Sequence, residues 1–301
     1  MATSLPRRRR KMESAIEWLL AGAALAAILT TLGIAAVLVG ESLPFFRSVS
    51  LWRFLTDTQW TPLFADPRFG IGVLLSGTAT SSLVALAVAI PCGTALALFL
   101  SEFAVGPLRE SVKPILELLA GVPTVVFGYF ALDVVTPLLQ KAWPALPGFN
   151  LLSAGLVMGV MIIPYVASLS EDALRAVPMS LREGAYALGA TRLQAAWQVV
   201  FPAAFSGVAA AYVLGVSRAI GETMIVAIAA GQQPRLTLNP FEPAATVTTY
   251  IVQVAKGDVP HGSLGYRTIF AAALALFLLA LTFNLAADWI RRRQRLRGRI
   301  S

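Results

Sequence analysis

The stretch Glu183–Pro202 reads EGAYALGATRLQAAWQVVFP and separates two strongly apolar parts of the chain. It is polar enough to leave a membrane, yet its first half is built mostly from small residues. Small side chains let two backbones approach closely, so a helix made from them can enter a narrow groove. The small residues are Gly184, Ala185, Ala187, Gly189 and Ala190.

The residues just before this stretch predict where its helix begins. Pro178 breaks the preceding pattern, and Ser180 and Glu183 then have the S-x-x-E spacing of a capping box. We therefore expect a short helix capped by Ser180. Three residues fall at i, i+4 and i+7 and so share one face of that helix: Leu181, Ala185 and Leu188.

Two interpretations of this helix are open. It could lie along the membrane surface, but such helices carry a lysine-rich polar face and a strong apolar one, and this segment has neither. Alternatively, it could be a plug that docks into a groove on a partner protein. The small residues favour docking.

The composition is that of an integral membrane protein. Of the 301 residues 57% are hydrophobic and only 13% are charged, whereas soluble domains carry about 25% charged residues. The net charge of +8 comes largely from two terminal clusters, Arg7–Lys11 and Arg291–Arg299. Because both clusters adjoin apolar runs, they indicate cytoplasmic anchors and not a nucleic-acid-binding surface.

Several kinds of chemistry are disfavoured by what the sequence lacks. Cys92 is the only cysteine and His261 the only histidine, so an internal disulfide or a Cys/His metal site is not expected. The sequence has no GxxxxGK[ST] phosphate-binding loop. We therefore expect this chain to bind no cofactor and not to hydrolyse ATP by that route.

The hydropathy pattern predicts an all-α protein with about six transmembrane helices, since about 20 apolar residues cross a bilayer. The predicted spans are Ala15–Val39, Gly72–Leu100, Leu116–Leu138, Leu151–Leu169, Ala203–Ala230 and Thr268–Ile290. We divide the chain into a basic N-terminus (1–14), a first helix with an external segment (15–70), a membrane domain (71–290) and a basic C-terminus (291–301).

The basic residues predict the orientation of these spans. Lysine and arginine concentrate on the cytoplasmic side of membrane proteins. One side of the predicted topology holds both terminal clusters together with Arg109, Lys113, Arg175, Arg182 and Arg192. We therefore expect both termini, and the Glu183–Pro202 loop, to be cytoplasmic.

Arg218 and Glu222 interrupt the fifth apolar span. A charge at the centre of a membrane helix costs about 2.5–3.5 kcal/mol, so such residues usually face a bundle interior or a water-filled path. At a spacing of four they share a helix face and can pair. The pair is either a structural link between helices or a site where Arg218 offers its guanidinium to an oxyanion.

The Glu183–Pro202 stretch resembles the EAA loop of type-1 ABC-transporter permeases, whose pattern is EAA-x3-G-x9-I-x-LP. Gly184 stands where the family usually has alanine. The segments SRAIGETM (217–224), VPTVVFGYFAL (122–132), LSEFA (100–104) and LWRFLTDTQWTPLF (51–64) resemble the PstC-type permeases of bacterial phosphate ABC transporters. The similarity extends from about Ser48 to Asp288.

This resemblance implies a type-1 permease fold with a cytoplasmic coupling helix, in the inner membrane of a bacterium. It implies four partners: a PstA-type second permease, a PstB-type ATPase dimer that uses ATP and Mg²⁺, a periplasmic PstS-type phosphate-binding protein, and phosphate itself. Lipid surrounds the spans. The residues expected to couple to the ATPase are Glu183, Gly184, Ala185, Gly189 and Pro202, and those expected in the translocation path are Arg218 and Glu222.

Other functions stay open at this point. The loop does not distinguish phosphate from molybdate, sulfate or phosphonate. A stand-alone channel or secondary transporter would explain Arg218 and Glu222 but not the docking helix. A membrane sensor that signals through partners is a third alternative.

Overall fold

A computed structural model describes residues 7–297, with side chains described at Glu13 and from Ile16 to Trp289. The terminal basic clusters, including Arg7–Lys11, therefore lie outside the described side chains. Within the described residues the fold is helical, and the pairing of Trp60 with Phe69 is an isolated antiparallel bridge. The helices are α1 (Arg7–Ser48), α2 (Leu51–Thr56), α3 (Gly72–Leu98), α4 (Gly106–Ala120), α5 (Thr124–Phe130), α6 (Thr136–Ala142), α7 (Leu151–Arg175), α8 (Met179–Ala187), α9 (Arg192–Ala195), α10 (Phe201–Gly221), α11 (Met224–Ala229), α12 (Val247–Lys256) and α13 (Leu264–Arg297).

Six helical segments of the described chain are long and apolar enough to cross a membrane, which confirms the predicted number. Three of them contain a π-helical turn, where one extra residue widens the helix. The π-helical turns are Phe99–Phe103 after α3, Ala131–Val135 between α5 and α6, and Ala196–Val200 between α9 and α10. The six spans are Ile16–Ser48, Gly72–Phe103, Thr124–Ala142, Leu151–Arg175, Arg192–Gly221 and Leu264–Trp289.

The third span differs from its prediction. Leu116–Leu138 was expected to be one helix, but the chain breaks at Gly121–Pro123. Pro123 cannot donate a backbone hydrogen bond and disfavours helical geometry in the residue before it. As a result α4 is a separate amphipathic helix, and the span begins only at Thr124.

The fifth span also differs, at both ends. Ala203–Ala230 was expected to be continuous, but the helix begins earlier, at Arg192, and ends at Gly221. Glu222 is extended, with φ −65° and ψ 135°, and α11 then restarts as a separate short helix. The break lies inside the segment that was predicted to carry the Arg218–Glu222 pair.

The centre of the bundle is the packing of α7 against α3. Two glycines one helical turn apart, Gly155 and Gly159, lie on the contact face of α7. A Cβ atom on Gly159 would come within 2.8 Å of the carbonyl oxygen of Ala85, and one on Gly155 within 2.7 Å of Val84. Small residues at this spacing allow two membrane helices to pack backbone against backbone. Consequently α7 is largely buried, whereas α1 is exposed along its apolar length.

Candidate functional site

The predicted docking helix is present as α8, but it begins differently from the prediction. Pro178 is its N-cap residue and offers no side-chain cap, so the expected capping box between Ser180 and Glu183 is wrong. The helix starts at Met179, which places Ser180 inside the first turn, where its hydroxyl is not at the capping position. A capping box does form one helix later, between Thr191 and Gln194.

The end of α8 explains why Gly189 is a glycine. Its φ of +83° lies in the left-handed region, which L-residues with a Cβ rarely adopt. The N–H of Gly189 donates to the carbonyl of Tyr186 at 2.9 Å, and the N–H of Ala190 donates to that of Ala185 at 3.0 Å. These two bonds make a Schellman motif, which satisfies the last carbonyls of the helix and turns the chain sharply.

The predicted coupling residues divide into buried and exposed ones. Ala185 is buried, and it points toward the bundle. Glu183, Gly184, Gly189 and Pro202 are exposed. The expected common face of Leu181, Ala185 and Leu188 is wrong, because Leu188 is the C-cap residue and is 91% exposed. Leu188 is therefore an exposed apolar side chain at the end of α8.

Arg182, which the sequence analysis did not single out as a site residue, fastens α8 to the bundle. Its Nη2 and Nε donate to the two carboxylate oxygens of Glu102 at 2.8 and 3.1 Å. Its guanidinium also donates to the carbonyls of Val177 at 2.6 Å and Leu174 at 2.9 Å. The hydrogen bond to Glu102 raises the pKa of Arg182 above its ordinary value. One buried cation thus joins α8, the π-helical turn after α3, and the end of α7.

A second charged cluster holds α4 against the same end of α7. Glu171 is 1% exposed and accepts from Arg109 at 2.8 Å and from Lys113 at 3.1 Å. Lys113 also donates to Asp172 at 2.6 Å, and this bond, with that to Glu171, raises the pKa of Lys113. Within the described residues no group of three or more His, Cys, Asp or Glu side chains is placed to hold a metal ion.

Between these two clusters lies an open cavity of about 690 Å³ with basic walls. Arg175 and Arg192 line it together with Arg109 and Arg182. The cavity therefore adjoins α8 at the end of the bundle where the predicted cytoplasmic arginines gather.

The predicted pair of Arg218 and Glu222 does not form. Glu222 follows the end of α10, and its Oε1 accepts from the backbone N–H groups of Thr223 at 3.1 Å, Met224 at 3.0 Å and Ile225 at 3.4 Å. The i, i+4 geometry requires a continuous helix, and the break after Gly221 removes it. Glu222 instead caps α11, where its negative charge is favourable for the first turn.

Arg218 consequently has no carboxylate partner within the described part of the chain. Its guanidinium carbon lies 4.2 Å from the centroid of the Tyr165 ring, and its Nη2 lies 3.7 Å from the sulfur of Met161. Its Nε is buried and has no hydrogen-bond acceptor among the described residues. Both contacts come from α7, and neither of them is with a carboxylate.

The sequence analysis missed Arg182, Glu171 and Tyr165 as functional candidates. Glu102 and Glu171 could have been noticed, since each is an acidic residue near the end of an apolar run. Their partners are distant in the sequence, so no local pattern identifies them. Tyr165 gave no signal, because an isolated tyrosine in an apolar helix is normally part of the packing.

This architecture, a bundle of membrane spans with a short exposed helix between two of them, is that of the membrane subunits of ABC transporters. A solved bacterial alginate ABC transporter, in complex with an alginate-bound periplasmic protein, contains a chain of 22% identity that aligns over 94% of this chain and 96% of that one, with a TM-score of 0.62. An inward-facing structure of the MetNI methionine ABC transporter aligns over 75% and 94%, with 20% identity and a TM-score of 0.55. These similarities confirm the expected type-1 permease fold.

The chain belongs to the family of binding-protein-dependent transport system inner membrane components, which matches residues 89–296. It is therefore a multi-pass inner-membrane transport subunit. It is 36% identical to the probable ABC transporter permease protein YqgH of Bacillus subtilis over 83% of this chain and 80% of the relative. It is 32% identical to the phosphate transport system permease protein PstC of Mesorhizobium japonicum over 78% and 76%, and 30% identical to that of Haemophilus influenzae over 85% and 86%.

Proposed function

We propose that this chain is a permease subunit of an ATP-driven phosphate importer, in which it forms part of the translocation path. The relatives named as phosphate permeases span most of its length. The single observation that carries the proposal at the level of chemistry is Arg218, a cation on a membrane-spanning helix with no ion-pair partner among the described residues.

Arg218 suits an oxyanion for two reasons. Its planar guanidinium presents paired N–H donors that match two oxygens of a tetrahedral anion. Its charge is not cancelled by Glu222, which is committed to the cap of α11. An anion that approaches Arg218 thus meets a full positive charge in a medium of low dielectric constant, where electrostatic attraction is strong. Glu222 contributes to the path by fixing the break beside Arg218.

The energy for transport comes from a partner in this proposal. Exposed α8 docks into an ATPase subunit through Leu188 and the residues around it, namely Glu183, Gly184, Ala185 and Gly189, while Pro202 starts the span that follows. ATP and Mg²⁺ are bound by that ATPase, of the PstB type. A PstA-type permease completes the membrane unit, and a periplasmic PstS-type protein delivers phosphate. Both termini and α8 are then cytoplasmic.

The transport cycle needs movement and no covalent chemistry in the membrane. When the ATPase dimer closes on ATP, it draws the docked helices together, and the spans change from inward-open to outward-open. Arg182 joins α8 directly to α7 and to the π-helical turn after α3. We therefore expect the movement of α8 to displace these central helices first.

The anion role is tested by phosphate uptake into proteoliposomes that contain the complete complex. We expect Arg218→Gln to abolish uptake while the complex still assembles, and Arg47→Gln, at an exposed residue near the end of α1, to transport normally. Excess molybdate, sulfate or phosphonate should not compete with labelled phosphate. Normal uptake by Arg218→Gln would overturn the role of Arg218, and strong competition would reassign the substrate.

The docking role is tested at Gly189, in the turn that follows α8. Gly189→Val should weaken co-purification of the ATPase, since a β-branched residue at φ +83° costs at least about 1–2 kcal/mol and distorts the turn. Gly40→Val is the matched control, because it adds the same side chain in α1, away from α8, where a Cβ meets nothing within 4 Å. If both variants retain the ATPase equally, α8 is not the docking element.

A further inference from the structure

The ring of Tyr165 lies against the guanidinium of Arg218. The guanidinium carbon stands 4.2 Å from the ring centroid, well within the distance of about 6 Å at which an aromatic face attracts a cation. The face of the ring is electron-rich, so it stabilises the positive charge without accepting a proton or neutralising it.

The Tyr165 ring is itself held in place from its other end. Its hydroxyl donates to the carbonyl of Ala120 at 3.0 Å. Ala120 is the last residue of α4, and its carbonyl is one of the helix-end acceptors that need a partner. Tyr165 is therefore fixed both by α7, which carries it, and by the end of α4, so the ring presents a stable surface to Arg218.

We propose that Tyr165 is a positioning residue for the anion site. Its ring holds the Arg218 guanidinium by a cation–π contact, a role that a paired carboxylate would otherwise fill. The arginine is then oriented for an incoming oxyanion and keeps its full charge. A carboxylate in the same place would orient Arg218 equally well but would compete with the anion for its N–H donors. This inference rests on the proposed role of Arg218 in phosphate passage.

The test separates the ring's electrostatics from its volume and from its hydroxyl. Tyr165→Phe keeps the ring and loses only the bond to Ala120. Phenylalanines with one, two and three ring fluorines, inserted at position 165, progressively withdraw electron density from the ring face at nearly constant size. Tyr165→Leu removes the aromatic face. Each variant is scored as maximal phosphate uptake per assembled complex at saturating binding protein.

We expect Tyr165→Phe to transport within about twofold of the unmodified chain and Tyr165→Leu to lose roughly tenfold, as a desolvated cation–π contact implies. The fluorinated series should fall stepwise between them. The matched control is the same series at Tyr212, whose hydroxyl contacts Thr94 at 2.6 Å and whose ring has no cation over it among the described residues; it should be flat.

A flat series at position 165 would overturn the proposal, as would normal uptake by Tyr165→Leu. Failure of Tyr165→Phe to assemble would also overturn it, because the bond to Ala120 would then be the residue's main role. The Arg218→Gln variant, measured alongside, distinguishes the two failures. If that variant is inactive and the series is flat, Arg218 keeps its role and only the role of Tyr165 is lost.

Discussion

Glu222 is a carboxylate within a bundle of membrane helices that is satisfied without a cation. Three backbone N–H groups at the start of α11 donate to a single one of its oxygens. Buried acids are usually stabilised by an ion pair or by several hydrogen bonds. Glu222 is stabilised by hydrogen bonds. As a result the neighbouring arginine remains free to bind something else.

Removal of the Glu222 carboxylate should cause a measurable loss of stability. Glu222→Ala should lower the free energy of unfolding by about 0.5–2 kcal/mol, because it leaves three N–H groups at the start of α11 without their acceptor. Glu222→Gln should cost less, since its amide oxygen still accepts. Thermal unfolding of the detergent-solubilised complex measures both.

The control for this cap is Asp258→Ala, which removes an exposed carboxylate outside the spans. If Glu222→Ala unfolds at the same temperature as that control, the hydrogen bonds to Glu222 contribute nothing to stability.

The sequence identified the two charged residues of the fifth span, but it did not predict which groups they contact. Arg218 and Glu222 stood out because charges are rare in apolar runs. Their pairing was inferred from a spacing of four, which holds only while the helix is continuous. Gly221 was visible, but a glycine in a membrane helix marks close packing as often as a break, so the interruption could not be predicted from it.

Among the helices, the hydrogen bonds of Arg182 connect three parts of the fold. They bring together α8, the end of α7 and the π-helical turn after α3. Because both charged groups are buried, each depends on the other, and removing one leaves an uncompensated charge.

This dependence gives an asymmetric prediction. Arg182→Met should destabilise the protein by about 3–5 kcal/mol and release the ATPase, because Glu102 is left buried and unpaired. The double variant Glu102→Leu with Arg182→Met should recover much of the stability, since neither charge remains. Thermal unfolding and ATPase co-purification report the two effects.

Arg192→Gln is the control, as it alters an exposed arginine that lines the same cavity. A double variant as unstable as Arg182→Met would mean that the carbonyl bonds, and not the pair with Glu102, hold α8 in place.

The six spans could be predicted because the length of an apolar run is a direct requirement of the bilayer. The helix breaks inside the predicted spans were harder to predict from the sequence. The break at Gly121–Pro123 has a clear local cause in Pro123, yet apolar residues continue through it, and hydropathy alone joins the two pieces. The contact of Arg182 with Glu102 spans 80 positions, so no local pattern reveals it.

For the whole molecule, the distribution of charges predicts the orientation in the membrane. One end of the bundle carries α8 and the arginine-lined cavity, and the other carries the segment around Trp60 and Asp66. By the positive-inside rule we expect the first end to lie in the cytoplasm.

The lone cysteine makes this orientation directly measurable. In a Cys92→Ser background expressed without the ATPase subunit, we expect Leu188→Cys to react with a membrane-impermeant maleimide only after the cells are opened. Asp66→Cys, whose position at the opposite end is also exposed, should react in intact cells and serves as the matched control. The reverse pattern would place α8 outside and exclude its contact with an intracellular ATPase.

The hydrogen bonds of Arg182 to the carbonyls of Leu174 and Val177 attach α8 directly to the C-terminal end of α7. From Leu174 to Tyr165 the helix rises about 14 Å at 1.5 Å per residue, and no loop interrupts it. A movement of α8 would therefore reach Tyr165, the residue against which the Arg218 guanidinium lies, through one uninterrupted helical segment. In the function that we propose, about two and a half turns of one helix therefore separate the attachment point of the ATPase-docking helix from the residue that positions Arg218.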